Sequence, residues 1–421
     1  MDQLNRPQSS LRKSHNSLTL SVPRARLREW GLQEGRPVIG ILTTGVRQDG
    51  QRPVGGRTGL LGDFVRAARR WNALCYIFNA SDIDRAGKTI RGVTLVGPPG
   101  RERWRFYRFP LPDVVYNRAP HRKAEGAPAV MAAKKYFEQN SIPLFNERFL
   151  SKREMYGWLL GDPRSKDLTP ATQRLTTAEG LDKFTRTHDL VFLKPAGGSL
   201  GMGIYRVERT GDRYSVRYKR GKEHVTRLFY SATQLDLFVK KNNPRSTYIM
   251  QQGIRLMRYQ GSLTDFRMHM HKNGQGRWEA CGIGGKVAGK AAVTTHVHNG
   301  GRVIAGDDVL RAWYGENASQ MREKMIEASV RICQVLEGHL KGPTAEFGLD
   351  VGLDEQGRVW VFEGNAKPGR AIFRHRDLKE AGRRSASRIV EYAAYLIGRP
   401  MTGGVSPAQP PLTGKEEEDE P

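Results

Sequence analysis

The segment from Glu346 to Asn365 restricts the fold more than any other part of the sequence. Its two halves alternate apolar residues with polar or small ones around a turn at Gln356 and Gly357, and this period of two predicts a β-hairpin with one buried face. A turn at these residues places Asp350 directly opposite Glu363. Opposed Cβ atoms lie about 4.5–5.5 Å apart, and two carboxylates at that distance repel each other. The apolar residues expected on the buried face are Phe347, Leu349, Val351, Leu353, Trp360 and Phe362.

A divalent cation between these two carboxylates would remove their repulsion. Mg²⁺ prefers carboxylate oxygens, and Asn365, two residues after Glu363 on the same face, adds a carbonyl oxygen. The hairpin therefore predicts a metal site formed by Asp350, Glu363 and Asn365, with Mg²⁺ as the expected ion and Mn²⁺ as an alternative. Asp354, nearer the turn, is expected to be in solvent. The competing interpretation is a solvent-exposed acidic hairpin face without a metal.

A second pattern joins a lysine to a run of glycines. An apolar strand ends at Lys194, and the residues that follow are rich in glycine. Glycines let backbone N–H groups approach phosphate oxygens closely, and a lysine adds a positive charge. The pattern differs from a Walker A loop, because the lysine precedes the glycines and a strand follows instead of a helix. It predicts a flexible lid over phosphates, with an ordinary glycine-rich hairpin as the alternative. The lid residues are Gly197, Gly198, Ser199, Gly201 and Gly203.

The region before residue 129 is organised differently. A short apolar run (37–45), a helical pattern (60–73) and a second apolar run (74–80) follow one another, which favours a parallel α/β unit. A further strand of the same layer is expected at 110–119. The fold class is therefore predicted to be α/β, with an α+β part in which strands and helices are mixed beyond this region.

The formal charge of +26 is the unusual feature of the composition. An excess of this size attracts polyanions, so an anionic polymer or surface is an expected partner, and a merely solvated basic surface is the alternative. No aromatic RNA-binding signature or zinc-finger spacing accompanies the charge, so nucleic-acid binding has support from charge alone. No run of 18 apolar residues and no secretory apolar region occurs, and the three cysteines lie far apart. We therefore expect a cytoplasmic protein with reduced thiols and no membrane span.

Lys194 with its glycines, followed by Asp350, Glu363 and Asn365, resembles the ATP-grasp superfamily. The resemblance is closer to the YheC/YheD family of endospore coat-associated proteins, in the segments PLPDVVYNRAPHR, NERFLSKREMYGWL, KPAGGSLGMGIYRVER and VWVFEGNAKPGR. It implies an N-terminal parallel α/β pre-ATP-grasp domain followed by a two-subdomain ATP-grasp fold. The expected boundaries are 1–36 for an N-terminal extension, 37–128 for the pre-ATP-grasp domain, 129–399 for the ATP-grasp domain with its hinge near 251–254, and 400–421 for a disordered acidic tail.

The resemblance also implies residues that bind ATP phosphates. Lys152 lies at the start of a helix for which Ser151 and Glu154 predict a capping box, and it falls where these enzymes carry their first phosphate lysine. Lys194 would be the second phosphate lysine. Arg267 falls where related ligases place an arginine on the transferring phosphate or on the substrate. The segment 364–370 resembles the loop that closes the substrate end.

The hinge is expected to bind adenine. The side chain of Gln251 would meet the adenine amino group, and the backbone of Gln252 and Ile254, on either side of Gly253, would contact the ring edge. Two residues depart from the family pattern. Gln251 stands where many relatives have glutamate, and His296 stands where an asparagine is expected, which puts the contact of that loop with phosphate or metal in doubt.

The leading hypothesis is an ATP-dependent, ADP-forming ligase that converts a carboxylate into an acyl phosphate, which an amine or another nucleophile then attacks. A second hypothesis is a catalytically weak nucleotide-binding protein with a structural or assembly role in the spore, and a spore-coat component is an expected partner. The third is a nucleic-acid-binding protein. The absence of GxSxG or Cys/His signatures agrees with the first, because phosphoryl transfer needs no side-chain nucleophile.

Overall fold

The structure is a computed structural model, and it describes residues 20–21, 36–196, 203–221, 223–244, 246–289 and 300–399. Within these ranges no helix is both long and apolar enough to cross a bilayer. The expected thiols Cys75, Cys281 and Cys333 are buried and free. Several predictions fall outside the described residues, namely those on Gly197, Gly198, Ser199, Gly201, His296 and the tail 400–421.

The helices have apolar faces that pack on three β-sheets. In the first of them, Leu61, Phe64, Val65 and Ala68 recur at helical spacing and all are buried, as the sequence predicts. The helices of the described residues are α1 (Thr58–Arg70), α2 (Arg122–Glu125), α3 (Pro128–Gln139), α4 (Lys152–Gly161), α5 (Ala178–Thr187), α6 (Ala232–Asn242), α7 (Gly306–Tyr314), α8 (Ala318–Gly338) and α9 (Lys379–Leu396).

The first sheet confirms the predicted α/β class. Its strands are β1 (Leu20–Ser21), β2 (Val38–Thr43), β3 (Leu74–Asn79), β4 (Ile83–Asp84), β5 (Thr89–Val96), β6 (Arg103–Pro110), β7 (Val114–Asn117) and β8 (Leu144–Phe145). Their order is β1-β6-β5-β3-β2-β7-β8, with β4 beside β5. The central strand β2 pairs in parallel with β3 and β7, while β5 and β6 form an antiparallel hairpin that the sequence analysis did not predict. Helix α1 covers one face of this sheet and α3 covers the other.

The second sheet is antiparallel and carries the glycine-rich segment between two of its strands. Its strands are β9 (Thr172–Leu175), β10 (Leu190–Pro195), β11 (Tyr205–Thr210), β12 (Arg213–Arg220), β13 (Glu223–Phe229) and β14 (Tyr248–Gln252), in the order β13-β12-β11-β10-β14-β9. Alternate residues such as Tyr205, Val207, Tyr214 and Val216 are buried in a core that also contains residues of α5 and α6. The other face of this sheet is therefore free to line a cavity.

The third sheet is also antiparallel. Its strands are β15 (Arg258–Tyr259), β16 (Ser262–Lys272), β17 (Trp278–Val287), β18 (Arg302–Ala305), β19 (Glu346–Leu353) and β20 (Val359–Asn365), in the order β18-β17-β16-β19-β20 with β15 beside β16. One face packs its apolar residues against α8 in the largest core. Helix α9 contacts both α1 and strands β16 and β17, so it joins the first sheet to the third.

Candidate functional site

A cavity of about 730 Å³ lies between the second and third sheets. Residues that are far apart in the sequence meet in the lining of this cavity. The predicted residues among them are Lys152, Lys194, Gln251, Gln252, Ile254, Asp350 and Glu363. Such a volume falls within the range of ordinary small-molecule sites.

The hairpin of β19 and β20 pairs Asp350 with Glu363, as the sequence predicts. From this pair towards the end of β20 the ladder keeps the same register, and Asn365 lies opposite Gly348. The two carboxylates are therefore cross-strand neighbours, with Asn365 two residues beyond Glu363. An all-oxygen set of two carboxylates and one amide suits Mg²⁺, which usually takes one or two protein carboxylates and completes its shell with water and phosphate.

Towards the turn, the register of this hairpin shifts by one residue. Val351 pairs with Val361, and not with Phe362, because the ladder is irregular after Asp350. One additional residue in a strand reverses which side chains face the core. The predicted placement of Trp360 and Phe362 on the core face is therefore wrong: Val359 and Val361 occupy the core beside Val351, and Phe362 lines the cavity. Trp360 is buried, but beside Asp354 instead of in that core.

The prediction of a solvated Asp354 is also wrong. The residue is 9% exposed, and its Oδ2 accepts a hydrogen bond from Trp360 Nε1 at 2.8 Å. Its Oδ1 accepts from the backbone N–H groups of Gln356 (3.1 Å) and Arg358 (2.8 Å). Asp354 therefore organises the turn, because an aspartate readily bonds to backbone groups two to four residues further on.

Asp350 is bound by two cations. Its Oδ1 lies 2.7 Å from Arg267 Nε and 3.2 Å from Lys286 Nζ, and Lys286 also contacts Asp265 at 3.0 Å. Burial lowers the pKa of Arg267, but the carboxylates of Asp350 and Glu363 outweigh it and leave that pKa raised. Arg267 therefore stays charged beside the predicted metal ligand, where an anionic phosphate would also lie.

The two predicted phosphate lysines reach the cavity from different elements. The capping box is confirmed: Ser151 Oγ accepts from the N–H of Glu154 at 3.2 Å, and Glu154 Oε2 accepts from the N–H of Ser151 at 3.1 Å. Helix α4 therefore begins at Lys152, whose Nζ lies 3.5 Å from Glu363 Oε2. Lys194, at the end of β10, has a pKa of about 8, lowered first by burial and then by Lys152.

Gln251 connects Lys194 to the hinge. Its Oε1 accepts a hydrogen bond from Lys194 Nζ at 2.5 Å, and its Nε2 donates to Thr172 Oγ1 at 2.9 Å. An amide oxygen has two lone pairs, so one remains for a further donor such as an adenine amino group. The side chain is held in place on both sides before any ligand binds.

The backbone of the hinge is partly used by neighbouring strands. The N–H of Gln252 donates to Ala171 O at 2.8 Å, and the N–H of Gly253 donates to Leu190 O at 2.7 Å. A Cβ at Gly253 would lie 2.2 Å from Leu190 Cγ, so only glycine fits at this close approach. Ile254 is therefore the hinge position best placed to contact an adenine ring edge, and it lines the cavity.

Two charged residues of the site escaped the sequence analysis. Lys286 lies directly opposite Asp265 on adjacent strands, and both line the cavity. The signal was present in the alternation of polar residues along β16, where Asp265 and Arg267 share a face. Recognising this signal requires the pairing of β16 with β17, which the sequence alone does not show.

Gly203 lies at the end of the predicted lid. It has a φ of +69°, and its carbonyl oxygen accepts a hydrogen bond from Tyr248 Oη at 2.9 Å.

A cavity between two mixed α+β layers, in which lysines lie beside two opposed carboxylates, is typical of an ATP-grasp protein. The chain belongs to the YheC/D-like ATP-grasp family, whose sequence model matches residues 141–396. It is 34% identical to the endospore coat-associated protein YheD of Bacillus subtilis (strain 168) over 372 residues, which is 87% of this chain and 80% of that protein. It is 23% identical to the endospore coat-associated protein YheC of the same strain over 298 residues, 68% of this chain and 79% of that protein.

Among solved structures, N5-carboxyaminoimidazole synthase from Aspergillus clavatus, in complex with ADP and 5-aminoimidazole ribonucleotide, superimposes with a TM-score of 0.49. The identity is 10%, and the match covers 87% of this chain and 78% of that chain. This overlap is too loose to carry a functional conclusion.

Proposed function

We propose that the protein is an ATP- and Mg²⁺-dependent ligase that activates a carboxylate as an acyl phosphate and releases ADP. The observation that carries this proposal is the convergence on one cavity of two lysines and the opposed carboxylates Asp350 and Glu363. Lysines suit phosphate oxygens, and opposed carboxylates suit a hard cation. Together these groups are complementary to the polyphosphate of ATP bound as its metal complex.

The reaction has two steps. A carboxylate oxygen of the substrate attacks the γ-phosphorus of ATP, the bond from that phosphorus to the β,γ-bridging oxygen breaks, and ADP leaves. An amine or other nucleophile then attacks the acyl carbon, loses its proton, and expels inorganic phosphate. When bound, Mg²⁺ supplies neutralisation of charge on the β- and γ-phosphates.

Each predicted residue has a part in this proposal. Lys152, Lys194 and Arg267 neutralise charge on the phosphates and on the transferring group, which is the main requirement of phosphoryl transfer. Gln251, Gln252, Gly253 and Ile254 hold adenine at the hinge. Gly203, the described residue of the predicted lid, lies at the end of the segment proposed to contact the phosphates. The ligands for the metal are Asp350, Glu363 and Asn365.

The Glu363→Gln variant tests the metal site. The substitution keeps the size of the side chain but removes one of the two opposed charges, so Mg²⁺-dependent release of ADP should fall about a hundredfold or more, given that losses of supporting groups alone cost 10–100-fold at metal sites. ADP and phosphate are measured by mass spectrometry after incubation with Mg²⁺-ATP and a panel of carboxylates and amines. The exposed Glu327→Gln on α8 is the matched control.

Two outcomes would contradict the proposal. Full turnover in Glu363→Gln would mean that the metal is held elsewhere. Release of AMP in place of ADP would mean that the substrate is adenylated.

One observation favours a second candidate, a nucleotide-binding assembly protein with weak catalysis. Asp350 is already neutralised by Arg267 and Lys286, and these cations compete with a metal for the same oxygen. The names of the two Bacillus relatives suggest association with the spore coat, and we extend that association to this chain as a proposal. Tight binding of Mg²⁺-ADP without turnover on any substrate of the panel would support this candidate.

A further inference from the structure

The carboxyl ends of β2 and β7 are where this sheet is expected to leave a crevice, and Arg118, which directly follows β7, contacts Pro368. These two strands are parallel neighbours in the first sheet, and the helices that follow them, α1 and α3, lie on opposite faces. Open α/β sheets bind ligands at such a point, because the diverging connections leave room beyond the strand ends.

Two arginines meet at the end of β2. Arg57 Nη1 donates to Thr43 Oγ1 and its Nη2 donates to Thr44 O, both at 2.5 Å. The same Thr43 hydroxyl donates to the carbonyl oxygen of Arg118, which directly follows β7, at 3.0 Å. Thr43 therefore links the side chain of Arg57 to the backbone of Arg118, and the charge of Arg118 helps to lower the pKa of Arg57.

A third arginine adds to the positive charge. Arg118 forms an ion pair with Glu346 at 2.8 Å, but Arg370 donates to the neutral acceptors Ser385 Oγ (2.5 Å) and Gly382 O (2.6 Å). Within the described part of the chain, neither Arg57 nor Arg370 has a carboxylate within 4 Å. Burial lowers the pKa of both groups, Arg118 lowers both further, and Glu346 offsets only part of the effect at Arg370. Partly buried cations with neutral partners are unfavourable until an anion approaches them.

Contacts through Pro368 connect the arginines at the strand ends to Arg267. Arg118 Nη2 donates to Pro368 O at 3.3 Å. On the other side of Pro368, a Cβ added at Gly348 would lie 2.5 Å from Pro368 Cβ and 3.0 Å from Arg267 Nη1. Pro368 therefore lies between Arg118 and Arg267, the arginine proposed to contact the transferring phosphate.

We propose that the substrate carries two anionic groups, a carboxylate that is activated beside Arg267 and a second carboxylate or phosphate that Arg57, Arg118 and Arg370 bind at the strand ends. This inference rests on the proposed function and specifies its substrate class. A molecule that reaches past Pro368 presents one anionic group at each end. Guanidinium groups suit carboxylate and phosphate equally, since both offer paired oxygens to the planar fork of donors.

Binding of matched probes tests the proposal on the full chain. Calorimetric titrations compare L-glutamate with L-glutamine, and phosphoserine with serine, with and without Mg²⁺ and a non-hydrolysable ATP analogue. At least one anionic probe should bind about tenfold or more tightly than its neutral partner, a ratio that one charge-assisted contact is enough to produce. The first pair reports a carboxylate and the second a phosphate.

The Arg57→Gln variant removes the charge but keeps a hydrogen-bonding side chain. It should reduce the preference for the anion to about twofold or less, while the exposed Arg52→Gln in the same loop should keep it. Arg57→Lys should retain a partial preference, and the melting temperature of each variant shows that it is folded. Equal binding of anionic and neutral probes to the unchanged protein, or an undiminished preference in Arg57→Gln, would overturn the proposal. Failure of the nucleotide analogue to bind would instead contradict the proposed function, and the titrations without nucleotide would still decide the anion preference.

Discussion

Lys194 shows how the surroundings of one residue set its chemistry. Burial and the neighbouring Lys152 both disfavour its charged form, and its pKa is about 8. An ordinary lysine has a pKa near 10.4 and stays protonated throughout the physiological range. A lysine that loses its proton near pH 8 has a positive charge for phosphate only below that value.

This shift predicts a pH-dependent affinity for nucleotide. Phosphate oxygens favour the protonated amine, so the affinity for Mg²⁺-ADP should be highest below pH 8 and fall about fivefold between pH 8 and 9 as Lys194 loses its proton. Calorimetric titration from pH 7 to 9.5 measures this. Lys194→Arg is the control, because a guanidinium remains charged over the whole range and should give a flat profile. The same decline of affinity in both proteins would show that another group titrates. An undiminished affinity in Lys194→Ala would show that Lys194 does not bind the nucleotide.

Within a single strand, Gly348 shows why glycines recur between the larger residues of β19. Its Cβ would collide with Pro368 and crowd Arg267, so the close packing of the loop 366–370 against the strand requires glycine. Gly348→Ala should destabilise the fold by about 1–3 kcal/mol, as overpacked core substitutions do, and should also lower turnover by moving Arg267. Urea unfolding and release of ADP measure the two effects.

Gly369→Ala is the matched control for this prediction. A Cβ at Gly369 would meet no atom within 4 Å, so that variant should be close to the unchanged protein in both measurements. If Gly348→Ala equals Gly369→Ala in stability and turnover, the loop does not depend on contact with the strand.

The same hairpin shows which residue positions can be predicted from the sequence and which cannot. The alternation of residues along both strands predicted that Asp350 lies opposite Glu363, because alternation and turn position together determine which residues pair near the predicted metal site. It could not place Phe362, because the irregularity after Asp350 depends on what packs above the strand. A Cβ at Gly352 would lie 2.5 Å from Phe362 Cε2, so the ring occupies space that only a glycine on the neighbouring strand leaves open. The ion pair of Lys286 with Asp350 likewise depends on β19 pairing with β16, from which it is distant in the sequence.

The N-terminal sheet shows the same limit. Continuous apolar runs identified β2 and β3 as buried parallel strands. The hairpin of β5 and β6 escaped, because arginines such as Arg103, Arg105 and Arg108 interrupt its apolar residues. Its strands are recognisable only from their pairing with each other and with β3.

At the scale of the whole molecule, the three sheets place two kinds of positive charge in different positions. Lys152 and Lys194 line the cavity between the second and third sheets, Arg267 contacts Asp350 beside it, and Arg57 lies at the end of β2 in the first sheet. These few residues cannot account for a formal charge of +26. Much of the excess is therefore carried elsewhere on the chain, where it determines which large partners approach.

This excess predicts salt-sensitive binding of an acidic polymer. Exposed charges act over about 10 Å at 0.1 M salt but only about 3 Å at 1 M, so the apparent dissociation constant for poly-L-glutamate should rise more than about tenfold between these concentrations. Fluorescence anisotropy of labelled polymer measures it, with poly-L-lysine as the control that should not bind. Arg57→Gln should leave the salt dependence nearly unchanged, because one charge in a crevice is a small part of the total. A DNA duplex that competes poly-L-glutamate off at stoichiometric concentration would favour the nucleic-acid hypothesis, and an affinity that does not change with salt would mean that the charge only solvates the surface.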